Sequence, residues 1–148
     1  MIQLLGKEVK ITQAISTSSG SAASGTIAGA ILDMSGYEGV LTIIQLGGVT
    51  DTLAGTASMQ QGTASNMTDA AALAGTGQTI ATNADNTIYA IDLYRPNERY
   101  VRMYADRGTA TMVCNAVYLQ YGSSKKPPSH HSSVTGIEYH ISPTEGTA

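Results

Sequence analysis

The sequence contains no Phe, no Trp and a single cysteine, Cys114. An intrachain disulfide is therefore excluded, and Tyr is the only large ring available to a core. Charge is scarce as well. Asp, Glu, Lys and Arg make up 13% of the residues, about half the ~25% of ordinary soluble domains. Long apolar runs are missing. The longest, Val40–Leu46 and Met112–Leu119, have the length of strands and fall far short of the ~20 residues of a membrane helix. The first residues, Met1-Ile-Gln-Leu-Leu-Gly-Lys-Glu, lack a charged segment followed by an apolar one. They predict no signal peptide, and hence a soluble protein made in the cytoplasm.

Each shortage removes a class. With 8 basic against 11 acidic residues, a basic face for nucleic acid is not expected. A disordered chain would be more charged and less apolar than the observed 42% hydrophobic content. A helical bundle would be richer in Leu, Glu, Lys and Arg. What is present is Gly (16 residues), with abundant Ser, Thr and Ala, in a chain of 148 residues. That length suits one domain with one core.

Alternation of apolar and polar residues with period two marks strands. Val9, Ile11 and Ile15 alternate with Lys10, Thr12 and Ala14. Ser16–Gly25 is low in complexity and reads as a flexible or draped loop. Thr26–Leu32 is a short strand candidate, and Asp33–Gly39 carries turn chemistry. Val40–Leu46, β-branched and apolar on both faces, reads as a central strand ended by Gly47-Gly48. A strand is expected around Leu53–Gln60, one or two helical turns over Met67–Ala74, and a weak strand at Gln78–Thr82. Gly55–Met59 and Gly62–Met67 echo each other, but two short copies do not make a repeat fold.

The clearest region is Thr87–Tyr121. Tyr89, Ile91 and Leu93 share one face of a strand. Arg95-Pro96-Asn97-Glu98 forms a turn, and Val101, Met103 and Ala105 share the face of the next strand. After a turn at Asp106–Gly108, Thr109–Gln120 is a long strand. Met112, Cys114, Ala116 and Tyr118 face one way and Val113, Asn115, Val117 and Leu119 the other. Both faces are then covered, or a bulge shifts the pleat. Short turns between these strands predict an antiparallel meander within a sandwich or barrel. Beyond Gly122, the Ser/Lys/Pro/His-rich stretch Ser123–Ser133 cannot build a core, and Pro127-Pro128 favours extended chain. The division expected is a domain over 1–122, whose residues 1–10 read as an arm or an edge strand, and an extended C-terminal arm over 123–148.

No nucleophile elbow and no phosphate-binding glycine signature is present in the sequence. His130, His131, His140 and Glu138 are the one combination resembling a metal set, but adjacent histidines on an open segment suit a solvated arm better. Cys114 reads as a small buried hydrophobe. Asp92, Glu98 and Asp106 lie beside Arg95, Arg99, Arg102 and Arg107, so ion pairs are expected among them. Those four arginines, half of the eight basic residues, interleave with Tyr94, Tyr100 and Tyr104. Arg and Tyr are enriched at protein–protein hot spots, which places protein contact ahead of solvation and of nucleic-acid stacking. No catalytic residue, metal or cofactor is assigned, and the chain is not read as an enzyme.

Three stretches, Ile88–Arg102, Val117–Pro127 and His140–Ala148, resemble small virion proteins of tailed bacteriophages, in particular capsid cement (decoration) proteins. The first half is similar only in style. The resemblance implies an all-β fold, a jelly-roll-like antiparallel sandwich with extended N- and C-terminal arms. It implies homodimers or homotrimers, synthesised in the host cytoplasm, that bind the major capsid protein outside an icosahedral head. It implies no nucleic-acid or membrane partner and no catalytic residues. The interaction candidates are the N-terminal segment Met1–Lys10, the arm Lys125–Ala148 and the Arg/Tyr turn, with Arg95, Arg99, Tyr100, Arg102, Lys125, Lys126, Pro127, Pro128, Tyr139 and Ile141 as the individual residues. Other readings of the same residues are a head–tail connector or tail module, and a carbohydrate-binding sandwich, which the lack of Trp disfavours.

Overall fold

The computed structural model describes residues 4–18, 20–50, 55–81, 84–142 and 144–146. Among the described residues a single helical turn, α1 (Leu5–Glu8), precedes ten strands. In chain order these are β1 (Lys10–Ile15), β2 (Thr26–Ala28), β3 (Leu32–Asp33), β4 (Gly39–Thr50) and β5 (Gly55–Gly62), then β6 (Ala71–Ala72), β7 (Gln78–Ile80), β8 (Ile88–Tyr94), β9 (Tyr100–Asp106) and β10 (Thr111–Tyr121).

All pairings are antiparallel and form two sheets. The first runs β1-β10-β4-β8. In the second, β9 and β5 are central; β2 and β3 pair with one side of β9, and β6 and β7 with the other side of β5. Counting each split edge as one strand, four strands lie in each sheet and most connections cross between sheets. This is the double Greek key of a jelly roll. The all-β sandwich expectation therefore holds.

The core lies between the sheets. Val40, Ile44 and Leu46 of β4 and Met112, Cys114, Ala116 and Tyr118 of β10 meet Ala57 and Met59 of β5 and Val101, Met103 and Ala105 of β9. Without Phe or Trp, flexible Met and branched aliphatics fill the interior, at about 1.5–3 kcal/mol for each large side chain buried. Alanines at 57, 105 and 116 let the layers approach. Tyr118 is the one aromatic residue among the fully buried side chains, and its hydroxyl accepts the Met103 N–H at 2.8 Å. This bond explains why one edge strand is split. Between β2 and β3 the chain leaves the ladder after Gly29, whose N–H still donates to the Met103 carbonyl at 2.9 Å and where an added Cβ would lie 2.4 Å from the Tyr118 hydroxyl. Only a residue without a side chain leaves room there for the hydroxyl.

Several expectations are corrected. The final three strands are not a meander: β8 pairs with β4, β9 with β5, and β10 lies between β1 and β4. Short turns are equally able to carry the chain from one sheet to the other. Gly47-Gly48 does not end β4, because β10 continues to supply ladder partners out to Thr50 across a bulge at Met112/Cys114. In β1 the inward residues are Thr12 and Ala14, with Ile15 brought inward by a bulge after Gln13. Met67–Ala74 forms no helix. Met67 takes φ 56°, and the Asp69 carboxylate accepts the N–H groups of Thr63 and Ala64. Ala71–Ala72 then pairs with Gln60–Gln61, so tertiary pairing overrides helix propensity. The strand expected from Leu53 begins in the structure at Gly55, and residues 53–54 lie outside the described residues. So does residue 82 of the Gln78–Thr82 expectation.

The Ser16–Gly25 loop is draped but held. The backbone N–H of Cys114 donates to the Gly20 carbonyl at 2.8 Å, and Ala23 bridges Met112. Arg107, nearly fully buried, donates to the carbonyls of Gly25, Ser21 and Ser24 at 3.2–3.3 Å.

Candidate interaction surface

Alternation decides what each sheet shows to solvent. In the first sheet the outward residues form cross-strand rows: Ile11–Leu119–Leu41–Asp92, Gln13–Val117–Ile43–Ala90 and Asn115–Gln45–Ile88. Asp92 is the one charged side chain in these rows. Ile88 is 66% exposed and Val117 38%. The long strands that looked apolar on both sides are thus covered by the core on one side only. Neither Asp92 nor its neighbours form the expected ion pairs. Asp92 instead accepts the Tyr121 hydroxyl at 2.7 Å. Burial and that carboxylate push the Tyr121 phenol up to about 12.

The arginine window is dispersed: Arg95 and Arg99 lie before β9 at one end of the sandwich, Arg102 on the second sheet, and Arg107 at the other end of β9, against the loop after β1. Arg95 stacks on Tyr94 at 5.1 Å. Arg99 forks onto Asp33 at 2.7 and 2.9 Å and lies over the Tyr100 ring at 5.3 Å. The hydrogen bond to Arg99 holds the Asp33 carboxyl below its ordinary range. Arg102 donates to Gln60 Oε1 across the β9–β5 pair at 2.8 Å. Asp106 caps the Gly108 N–H at 2.8 Å instead of pairing with an arginine. The local acid–base pairs expected within residues 92–107 are therefore replaced by partners from other strands and loops. Sequence neighbours on a strand point to opposite faces, so adjacent acids and arginines did not become ion pairs.

The tail candidates lie elsewhere, against the start of the chain. Lys126 ion-pairs with Glu8. Pro127 is exposed and Pro128 is buried. Lys125 lies in a local turn, its N–H donating to Ser123 Oγ at 3.2 Å. The Tyr139 hydroxyl donates to the Gly6 carbonyl at 3.2 Å, and Lys7 Nζ lies 5.0 Å from its ring centre. Ile141 is 71% exposed. The two candidate groups are bridged by the β3–β4 loop. Asp33 binds Arg99, the Glu38 carbonyl accepts the Arg95 N–H at 2.7 Å, and the Gly36 carbonyl accepts the Ser124 N–H at 3.0 Å.

His130 has a defined place. Its Nδ1 accepts the Ile11 N–H at 3.2 Å, which puts the proton on Nε2, facing Tyr139 Oη at 3.3 Å. His140 meets Glu138 at 2.9 Å. Among the described residues, no three His, Cys, Asp or Glu side chains group as metal ligands would. Cys114 is buried, and burial pushes its thiol up. No described helix is long and apolar enough to cross a membrane. The outer face of the first sheet was missed as a candidate, though the apolar character of both faces of Val40–Leu46 was its signal.

No protein-family model matches this chain, and no curated protein matches its sequence. A solved structure shares its fold. The crystal structure of the PBSX exported protein XepA superposes with a TM-score of 0.51 at 15% identity, over 96% of this chain and 46% of XepA. This chain thus spans about half of XepA. A CBM4 structure aligns with a TM-score of 0.42 at 12% identity, over 67% of this chain and 61% of its own.

Proposed function

We propose that this protein is a structural component of a tailed-phage virion, a cement protein that binds the outside of the icosahedral head and links neighbouring major capsid proteins. The observation that carries the reading is the outer face of the first sheet, where Ile11, Leu41, Ile43, Val117, Leu119 and Ile88 lie in register with a single carboxylate. Such a face loses little on desolvation and favours contact with protein. The resemblance of residues 88–102 and 117–127 to cement proteins supplies the partner.

Area decides the mechanism. Four strands about 4.8 Å apart and some eight residues long give a face of roughly 500 Å². A stable interface needs about 800 Å² from each partner. One face alone therefore binds weakly, and firm attachment needs several linked contacts acting at high effective concentration. That suits a homodimer or homotrimer with additional reach from its termini. No catalytic, metal or cofactor role is part of the proposal.

The test compares heads with and without the protein. Heads carrying it should retain DNA to a higher temperature, and equal heat resistance would sink the cement role. Ile43→Glu should lower occupancy on the shell at least tenfold while the isolated protein melts as before. Unchanged occupancy would remove this face from the reading.

A further inference from the structure

An edge strand presents unpaired N–H and C=O groups that will take up another chain unless they are covered. In the first sheet β1 is such an edge, with its outward groups at Ile11 and Gln13. The C-terminal segment covers three of these groups. His130 Nδ1 accepts the Ile11 N–H at 3.2 Å, the His131 N–H donates to the Ile11 carbonyl at 3.1 Å, and Ser133 Oγ accepts the Gln13 N–H at 3.3 Å. Further along, Lys126 pairs with Glu8, and Tyr139 reaches the Gly6 carbonyl. The segment thus lies as a strap along residues 6–13.

We propose that residues 123–142 form an exchangeable strap, which seats either on its own β1 edge or on the β1 edge of a second copy. The occupant is identified by what already sits there: a neighbour's strap carries the same groups in the same order. Exchange then costs only the opening, because every lost contact is remade in trans. The strap is built to open. Of residues 123–142 only Pro128 is buried, and the remaining contacts lie near the surface. Gly122 to His130 spans eight residues, at most about 26–29 Å of extended chain, enough to reach an adjacent molecule. Seating at home also leaves apolar surface uncovered around the strap. Leu5 is 68% exposed, Ile141 71%, Tyr139 38% and Ile137 37%. A pair of copies brought together by reciprocal straps covers such surface. Reciprocal exchange closes a two-fold dimer, and head-to-tail exchange builds an open chain. This inference does not rest on the virion reading.

The experiment uses the isolated full chain. One preparation carries Gln13→Cys and another Ser133→Cys; the native Cys114 is buried and does not compete. The two are mixed, incubated at rising concentration and oxidised. Mixed disulfide dimers should exceed the same-variant dimers at least tenfold, and their share should rise with concentration. Mixed dimers no more abundant than same-variant dimers would overturn the proposal. The double variant Gln13→Cys/Ser133→Cys should close within one chain when dilute, and failure to close overturns the seat itself. Glu8→Cys with Lys126→Cys repeats the test at a second point, so that a folding defect in one variant decides nothing. Heads play no part in this readout, so its failure is separate from that of the cement role.

Discussion

Two tyrosines divide the molecule. Tyr118 is fully buried between the sheets, and its hydroxyl takes up the Met103 N–H where the edge strand breaks. Tyr139 lies on the strap, 38% exposed, and its hydroxyl reaches the Gly6 carbonyl. Each makes a hydrogen bond to backbone distant in sequence. The difference is the surroundings. In the core, losing the partner leaves a polar group with no access to water, whereas on the strap water replaces it. The same bond is thus structural in one region and exchangeable in the other.

The largest effect is expected in the core. Tyr118→Ala removes a buried ring and should cost about 3–5 kcal/mol. Tyr118→Phe keeps the ring but strands the Met103 N–H, for about 1–3 kcal/mol. Thermal melts should resolve the two at roughly 2–4 °C per kcal/mol for a chain of this size. A silent Tyr118→Phe would show that water reaches the break beside Gly29.

Arg107→Met comes next. It keeps much of the buried stem and removes the hydrogen bonds to three loop carbonyls, at about 1.5–3 kcal/mol. The Ser16–Gly25 loop should become a site of rapid proteolysis. A loop as resistant as before would mean that its backbone contacts to Met112 and Cys114 hold it without the side chain.

The smallest global effect belongs to the strap. His130→Ala should change the melting midpoint by less than about 0.5 kcal/mol in equivalent stability. Amide exchange at Ile11 and Gln13 should nevertheless rise at least tenfold, because their cover opens locally. A large loss of global stability would erase the contrast between the regions and make the strap part of the core.

Much of the sandwich is legible in the residues. The faces of β8, β9 and β10 follow directly from alternation, and Met112, Cys114, Ala116 and Tyr118 are buried as their spacing predicts. Alternation fails at β1, where a bulge after Gln13 changes which residues point inward. It fails at Met67–Ala74, where Asp69 folds back on Thr63 and the chain pairs with β5. The candidate surfaces were only partly legible. The Arg/Tyr window was visible, yet its partners, Asp33 and Gln60, come from distant strands. The role of His130 was invisible, because nothing in its own neighbourhood points to Ile11.

The shortage of charge and of large aromatics, with period-two patterning over most strands, determined β structure and a weakly charged exterior. These are local properties, since a strand's two faces are set by its own residues. The tertiary structure decided which strands are neighbours, that short turns cross between sheets, and that the tail returns to cover β1. Those depend on contacts between residues from tens to more than a hundred positions apart, which no local pattern encodes.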